Sequence, residues 1–134
     1  FGGCTAGPAA ALENMRIIED ENLLQNVVVM GEYLSERLNE LKGKHPIVGD
    51  IRGMGLFQGI ELVEDRETRE PVHEGVAIAI AGDCMANGVI IGRTNRSFTK
   101  YNNTLCLSPA LITTRTELDE IVNAIDAAIT RVTA

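Results

Sequence analysis

Residues 45–63, HPIVGDIRGMGLFQGIELV, decide the fold predicted for this chain. His45-Pro46 ends the preceding helical pattern, and four glycines then interleave with β-branched and aromatic residues, which predicts two strands over residues 48–53 and 55–63. The spacing GxGxxxG differs from a dinucleotide fingerprint, and a strand follows it where a phosphate-binding helix is required. The glycines are therefore interpreted as positions in a tight or bulged turn.

Two helices are predicted before this stretch. Residues 9–19 are strong helix formers, and Pro8 stands where a first helical turn tolerates proline. Asn22 and Gln25 resemble a capping box, which is followed by apolar residues at spacings of three and four. The second helix is expected to end at the turn formed by residues 42–44.

The pattern continues with two more helices and two more strands. A short helix is predicted over residues 75–87, with a left-handed stop at Asn87-Gly88, and strands are predicted at 89–91 and 104–108. The capping box of Thr114 and Glu117 starts the last amphipathic helix. The order of elements predicts an α+β fold, in which helices pack on a small, mostly antiparallel sheet.

Composition excludes several classes of protein. The 134 residues suit one core, and a net charge of -7 without a basic cluster argues against a nucleic-acid partner. The longest apolar runs fall far short of the ~20 residues that span a bilayer, so no membrane association is expected. Three cysteines without CxxC spacing predict neither a disulfide framework nor a metal site, and they favour a reducing cytoplasm. Cys84 and Cys106 are interpreted as small core residues and Cys4 as exposed.

No complete catalytic set is visible. His45 and His73 lie near prolines in predicted loops and are interpreted as surface residues. The only lysines, Lys42, Lys44 and Lys100, are not placed for the desolvation that a Schiff-base lysine requires. We therefore expect no catalytic residue in this chain.

Arg93 is the one side chain whose position in the sequence suggests a binding role. It follows the apolar residues 89–92, at the end where a sheet delivers side chains into a crevice. There it could hold a carboxylate through two parallel hydrogen bonds. A surface ion pair is the alternative, and the spacing alone leaves both interpretations open.

Four phrases in order resemble the C-terminal part of class III aminotransferases, pyridoxal-phosphate (PLP) enzymes of fold type I. The phrases are residues 1–27, residues 45–63, ANGVIIGR at 86–93 and NTLCLSPALITTRTELDEIVNAIDAAI at 103–129. NRSF and YNNTLCLSP are most similar to members that transfer amino groups from ω-amino acids, taurine or amines to a 2-oxo acid, pyruvate in their case. The resemblance implies a helical lead-in from the large domain at 1–44 and a small domain at 45–134.

The resemblance also implies where the cofactor binds. In the family, the PLP lysine and a threonine that grips the cofactor phosphate across a homodimer interface precede the position of Phe1. Phe1 and Gly2 are thus expected to be cofactor-binding residues. The chain by itself is expected to bind no PLP and to be inactive, although the intact protein is expected to be a cytoplasmic transaminase.

Arg93 matches the position where many relatives place an arginine for the substrate carboxylate. The loop over residues 94–103 is longer than is common in the family, so Arg96 is a rival for this role. Two other functions stay open. One is a free-standing small-molecule-binding module with Arg93 as its ligand anchor, and the other is a PLP-dependent racemase or decarboxylase.

Overall fold

The structure is a computed structural model that describes residues 3–134 of the chain. Its helices are α1 (Ala6–Asp20), α2 (Leu23–Lys44), α3 (Glu74–Ala86) and α4 (Arg115–Val132). Its strands are β1 (Val48–Met54), β2 (Phe57–Leu62), β3 (Gly92–Arg93) and β4 (Thr104–Leu107), and a 3₁₀ turn spans Thr99–Tyr101. None of the described helices is long and apolar enough to cross a membrane.

The four strands form one sheet in the order β1-β2-β4-β3. Every neighbouring pair is antiparallel. The predicted α+β class with a small, mostly antiparallel sheet is therefore confirmed. The predicted hairpin is also present, and Gly55 at φ +53° occupies the first position of its two-residue turn, where a left-handed backbone favours glycine.

Helices cover one face of the sheet, and the core lies between the two layers. Ile60 and Leu105 point into it from adjacent strands and are fully buried. The facing helices contribute side chains at helical spacing, each fully buried: Leu34, Leu38, Ile80, Ile125 and Ile129. Cys84 is also buried there, as expected, whereas Cys106 is half-buried and Cys4 is exposed.

The hairpin is held against α2 by a contact between two glycine backbones. A Cβ placed on Gly31 would lie 2.5 Å from the Cα of Gly55, a distance that real Cβ atoms do not show. A Cβ on Gly55 would in turn meet the Val27 side chain at 2.7 Å. Gly55 thus lies in the tight turn that the sequence interpretation expected, and it also allows a close approach to α2 that the sequence did not predict.

Of the two capping boxes predicted at helix starts, one is formed. At α4, the Thr114 hydroxyl accepts from the Glu117 N–H at 3.4 Å, and the Glu117 carboxylate accepts from the Thr114 N–H at 2.8 Å. The capping box predicted at Asn22 is wrong, because Asn22 has φ +55° and its side chain makes no capping hydrogen bond. Asn22 forms the tight turn that joins α1 to α2, and its backbone therefore lacks the extended conformation that a capping side chain needs.

Two element boundaries also differ from the prediction. Helix α1 begins at Ala6 rather than at residue 9. The strand predicted at 89–91 is wrong, since pairing with β4 begins at Gly92. The N–H of Val89 bonds instead to the Cys84 carbonyl at 2.9 Å and closes α3 beside Gly88 at φ +88°, so the chain reaches the sheet only afterwards.

Candidate functional site

Arg93 lies on the edge strand β3, at the start of the loop that runs to Asn103. It is paired with Leu105 on β4, so its side chain is on the helix-covered side of the sheet. The side chain is half-buried, and its Nη1 donates to the Thr94 carbonyl at 3.0 Å. The guanidinium thus keeps most of its donors available at the rim of the sheet.

Arg96 occupies the same loop and is exposed, but its backbone is held firmly. Its N–H donates to the Asn102 Oδ1 at 2.7 Å, and its carbonyl accepts from the Asn102 Nδ2 at 3.0 Å. The same Nδ2 donates to the Glu74 carboxylate of α3 at 3.0 Å. Asn102 is itself buried, so the loop closes over this amide.

The two arginines of this loop have no acidic partner among the described residues. Neither Arg93 nor Arg96 forms a salt bridge with any residue in the range 3–134. Arg66, Arg69 and Arg115 share this property, whereas the other four arginines each pair with a carboxylate: Arg16, Arg37, Arg52 and Arg131. The surface ion pair that the sequence left open for Arg93 is therefore not formed within the described residues. Two cations without counter-charge on one loop can accept an anion.

Sequence reasoning missed the two asparagines that shape this loop. Asn102 holds the loop interior, and Asn103 anchors its end, since the buried Asn103 Nδ2 donates to the Leu62 carbonyl at 2.6 Å. The available signal was the pair Asn-Asn directly before a strand, because asparagine side chains compete for nearby backbone groups. The pattern indicates such a role but not the partner atoms.

The histidines behave differently from each other. His73 is exposed, as expected, and its Nδ1 accepts from the Gly75 N–H at 3.1 Å at the start of α3. The prediction that His45 is a surface residue is wrong, because its Nε2 lies 2.5 Å from the Asp126 carboxylate of α4 and only 8% of the residue is exposed. The chain bends after α2 and turns this ring toward α4. Burial opposes ionisation of Asp126, but hydrogen bonds from Lys44 and His45 hold its pKa below the ordinary value.

The lysines do not fit a covalent cofactor site. Each one pairs with a carboxylate: Lys42 with Asp50 at 3.5 Å, Lys44 with Asp126 at 2.6 Å and Lys100 with Glu70 at 2.9 Å. The hydrogen bond to Glu70 raises the pKa of Lys100, the opposite of what an imine-forming amine requires. None of the three lysines therefore has the unpaired, desolvated surroundings that an imine-forming amine requires.

Two further expectations concern cofactors and metals. Phe1 and Gly2, the expected cofactor-binding residues, lie outside the described residues. In the described part of the chain, no group of three His, Cys, Asp or Glu residues is arranged to hold a metal ion. The arginine loop is therefore the candidate site that the described residues provide.

Comparison with known proteins gives a consistent result. The family model for Aminotransferase class-III matches residues 1–129. The chain is 60% identical over its full length to the hypotaurine/taurine–pyruvate aminotransferase of Paracoccus denitrificans. It is 59% identical over 98% of its length to the taurine–pyruvate aminotransferase of Bilophila wadsworthia. The chain spans 29% of the length of each of these relatives.

Solved structures agree. The fold matches a Bacillus anthracis aminotransferase with a TM-score of 0.87 and 43% identity, over 90% of this chain and 27% of that one. It also matches an amine transaminase from an uncultivated Pseudomonas species, described in its PLP-bound form, with a TM-score of 0.82 and 36% identity over 92% of this chain and 27% of that one. With the family model matching nearly all residues, the chain belongs to the class-III aminotransferases.

Proposed function

We propose that this chain is the C-terminal portion of a PLP-dependent aminotransferase that moves an amino group from taurine or a similar ω-amino acid to pyruvate. The observation that carries the proposal is the loop with Arg93 and Arg96, two cations that no described carboxylate neutralises. The relatives at 57–60% identity are named as taurine or hypotaurine aminotransferases that use pyruvate.

The substrate's anionic end explains why such a loop is useful. Taurine carries a sulfonate at the end opposite its amino group, and pyruvate carries a carboxylate. A guanidinium offers two parallel N–H donors to either group, and the pairing fixes direction as well as strength. Arg93, half-buried at the sheet rim, and Arg96, exposed in the loop, would bind this end and orient the amine toward the cofactor.

The cofactor's own chemistry comes from elsewhere in the assembly. PLP supplies the electron sink for amino transfer, while a protein contributes binding, orientation and proton transfer. The lysine that holds it is proposed to lie in the longer polypeptide, with Phe1 and Gly2 close to the cofactor phosphate of a homodimer. This chain alone would then bind anions without catalysing transfer.

The surface of the N-terminal helices supports a division into two domains. No residue of α1 is buried, and Leu12 and Leu24 are 65% and 68% exposed. Apolar side chains on two consecutive helices form a patch of the kind that marks an interface. We propose that residues 1–44 lead in from a cofactor-binding domain, against which α1 and the exposed face of α2 pack. The buried face of α2 joins the core of the small domain at 45–134.

Relatives with other reactions define the second candidate function. A phospho-lyase homologue of Caenorhabditis elegans and an ammonia-lyase of Vibrio splendidus share 36% and 38% identity with this chain. The family therefore does not set the reaction by itself. The higher identity to taurine aminotransferases favours transamination.

A chimera tests the proposal. In the Paracoccus denitrificans relative, this chain replaces the aligned 134 residues, which are 60% identical. We expect the purified chimera to convert taurine and pyruvate to alanine. Arg93→Ala and Arg96→Ala should each raise KM for taurine at least about tenfold, the loss expected for a charged hydrogen-bonded contact. KM for a primary amine that lacks an anionic group should stay unchanged.

Arg16→Ala is the matched control, because it removes an exposed arginine that pairs with Glu13 on α1, remote in sequence from the loop. Its kinetic constants should equal those of the unmodified chimera. An active chimera in which both loop variants leave KM for taurine unchanged would show that the anion binds elsewhere. A folded, PLP-loaded chimera without amino transfer would favour the lyase reaction, whereas a folded chimera that fails to load PLP would favour the free-standing binding module.

A further inference from the structure

Asn102 has a more constrained environment than any other polar residue of the loop. Only 1% of the residue is exposed, so the polar atoms of its side-chain amide need hydrogen-bond partners within the protein. The Oδ1 accepts from the Arg96 N–H, and the Nδ2 donates to the Arg96 carbonyl and to Glu74. The side chain thereby pairs with both backbone groups of a single residue.

This pairing replaces the secondary structure that Arg96 lacks. In a strand, a residue's N–H and carbonyl are held by a neighbouring strand, but Arg96 lies in neither a strand nor a helix. The preceding residue that is fixed is Thr94, whose N–H donates to the Thr104 carbonyl at 2.9 Å. The direction in which the Arg96 side chain leaves the backbone is therefore set by the Asn102 amide.

The contact with Glu74 adds a second effect. Glu74 is the first residue of α3, and its carboxylate reaches the arginine loop. The Asn102 amide lies between this carboxylate and the Arg96 backbone, and Glu74 forms no salt bridge with either loop arginine. The amide ties the loop to α3 while Arg96 stays available for an external anion.

We propose that Asn102 is a positioning residue for anion recognition: it orients Arg96 toward the anionic end of the substrate by holding the Arg96 backbone and the Glu74 carboxylate at once. This inference rests on the proposed function of the arginine loop. It assigns specificity to an amide that need not touch the substrate. Loss of the amide would let the Arg96 side chain change its orientation but would leave its charge in place.

The neighbouring Asn103 provides a matched control. It is also buried, at 3% exposure, and its side chain also holds a backbone carbonyl, that of Leu62. Among the described residues, its side chain makes no hydrogen bond with Arg96. Asn103→Ala therefore imitates the loss of a buried amide in the same loop without touching the Arg96 backbone.

The first test uses the purified chimera. Amide hydrogen exchange, read by mass spectrometry at single-residue resolution, should show that the Arg96 N–H exchanges at least about tenfold faster in Asn102→Ala, while Asn103→Ala leaves its exchange unchanged. Asn102→Ser keeps a hydroxyl acceptor for this N–H and places no second carboxylate beside Glu74, so its exchange rate should lie between the two. Equal protection of Arg96 in all of these variants would overturn the inference.

The second test uses the chimera described above. Asn102→Ala should raise KM for taurine about tenfold with kcat unchanged at saturation, because only the orientation of the anion-binding group is lost. KM for a primary amine that lacks an anionic group should stay the same, and Asn102→Ser should recover part of the affinity for taurine. Asn103→Ala should not change the KM for taurine relative to the KM for that amine.

The outcomes distinguish this inference from the proposed function. If Arg96→Ala weakens taurine binding and both Asn102 variants do not, Asn102 is not a positioning residue, although the arginine site stands. If Arg96→Ala itself leaves taurine binding unchanged, both the role of Arg96 and the inference fail. Should Asn102→Ala not fold, Asn102→Ser decides by the same two measurements.

Discussion

Helices α1 and α4 differ in what holds them in place, although they have similar lengths of 15 and 18 residues. Five residues of α4 are buried in the core: Leu118, Val122, Ile125, Ala128 and Ile129. No residue of α1 is buried, and its apolar side chains Leu12 and Met15 are more than half exposed. An isolated helix of this length is marginal in water, and the core of this chain gives α1 little of the stabilisation that it gives α4.

The polar contacts repeat the contrast. Asp119 of α4 accepts hydrogen bonds from Tyr33 and Arg37 of α2, and Arg131 pairs with Asp83 of α3. The charged contacts of α1 join its own residues, as Arg16 does with Glu13. Helix α4 is thus linked to two other helices, whereas the ion pairs of α1 do not fix its position.

The largest expected effect separates the two helices by burial. Ile125→Ala in α4 should lower the free energy of unfolding by about 2–5 kcal/mol, because it leaves a cavity in the core. Leu12→Ala in α1 should change it by less than about 0.5 kcal/mol. Urea denaturation of the two variants measures both. A loss above about 1 kcal/mol for Leu12→Ala would mean that α1 is packed within this chain.

A smaller effect concerns the helix starts. Thr114→Ala removes the side-chain cap of α4 and should cost about 0.5–2 kcal/mol. The N-cap of α1 is also a threonine, but Thr5 makes no capping hydrogen bond, so Thr5→Ala should leave stability unchanged. Thermal melts monitored by circular dichroism compare the two. Thr114→Ser keeps the hydroxyl and serves as the control, and equal losses at both caps would contradict the assignment.

The smallest effect is a pH dependence that belongs to α4. The hydrogen bonds from Tyr33 and Arg37 hold the pKa of Asp119 below its ordinary value of 3.8. Because the unfolded chain binds this proton more readily, the contribution is complete above the unfolded value and is lost as pH falls through the folded one. Asp119→Asn should therefore flatten the decline of stability below about pH 4. An unchanged acid titration of stability would show that this carboxylate does not link α2 to α4.

Two similar motifs show how far local pattern predicts structure. Thr114 and Asn22 both read as capping boxes, and only the first is formed. Each motif depends on residues three positions apart, but a cap also needs an extended backbone at its first residue. At Asn22 the direct connection of α1 to α2 imposes a left-handed turn, which the spacing of side chains does not reveal.

The candidate site shows the same limit. Arg93 and Arg96 could be identified from the sequence by position and by resemblance, although their role stays a prediction. The amide that holds Arg96 could not be identified, because Asn102 also reaches Glu74, 28 positions away along the chain. The lack of a counter-charge is likewise a property of three-dimensional placement, since the chain has more acids than bases.

The amino-acid sequence by itself determined the hairpin of residues 48–62, the apolar stripes of the helices and membership of the aminotransferase family, because each depends on short-range periodicity or on contiguous phrases. Only the tertiary structure decided that His45 lies buried against Asp126, 81 positions away, and that Asn102 pairs with Glu74, 28 positions away. Burial and hydrogen bonding depend on which surfaces meet when the layers pack. Residues far apart in the chain share those surfaces, and no local pattern records their pairing.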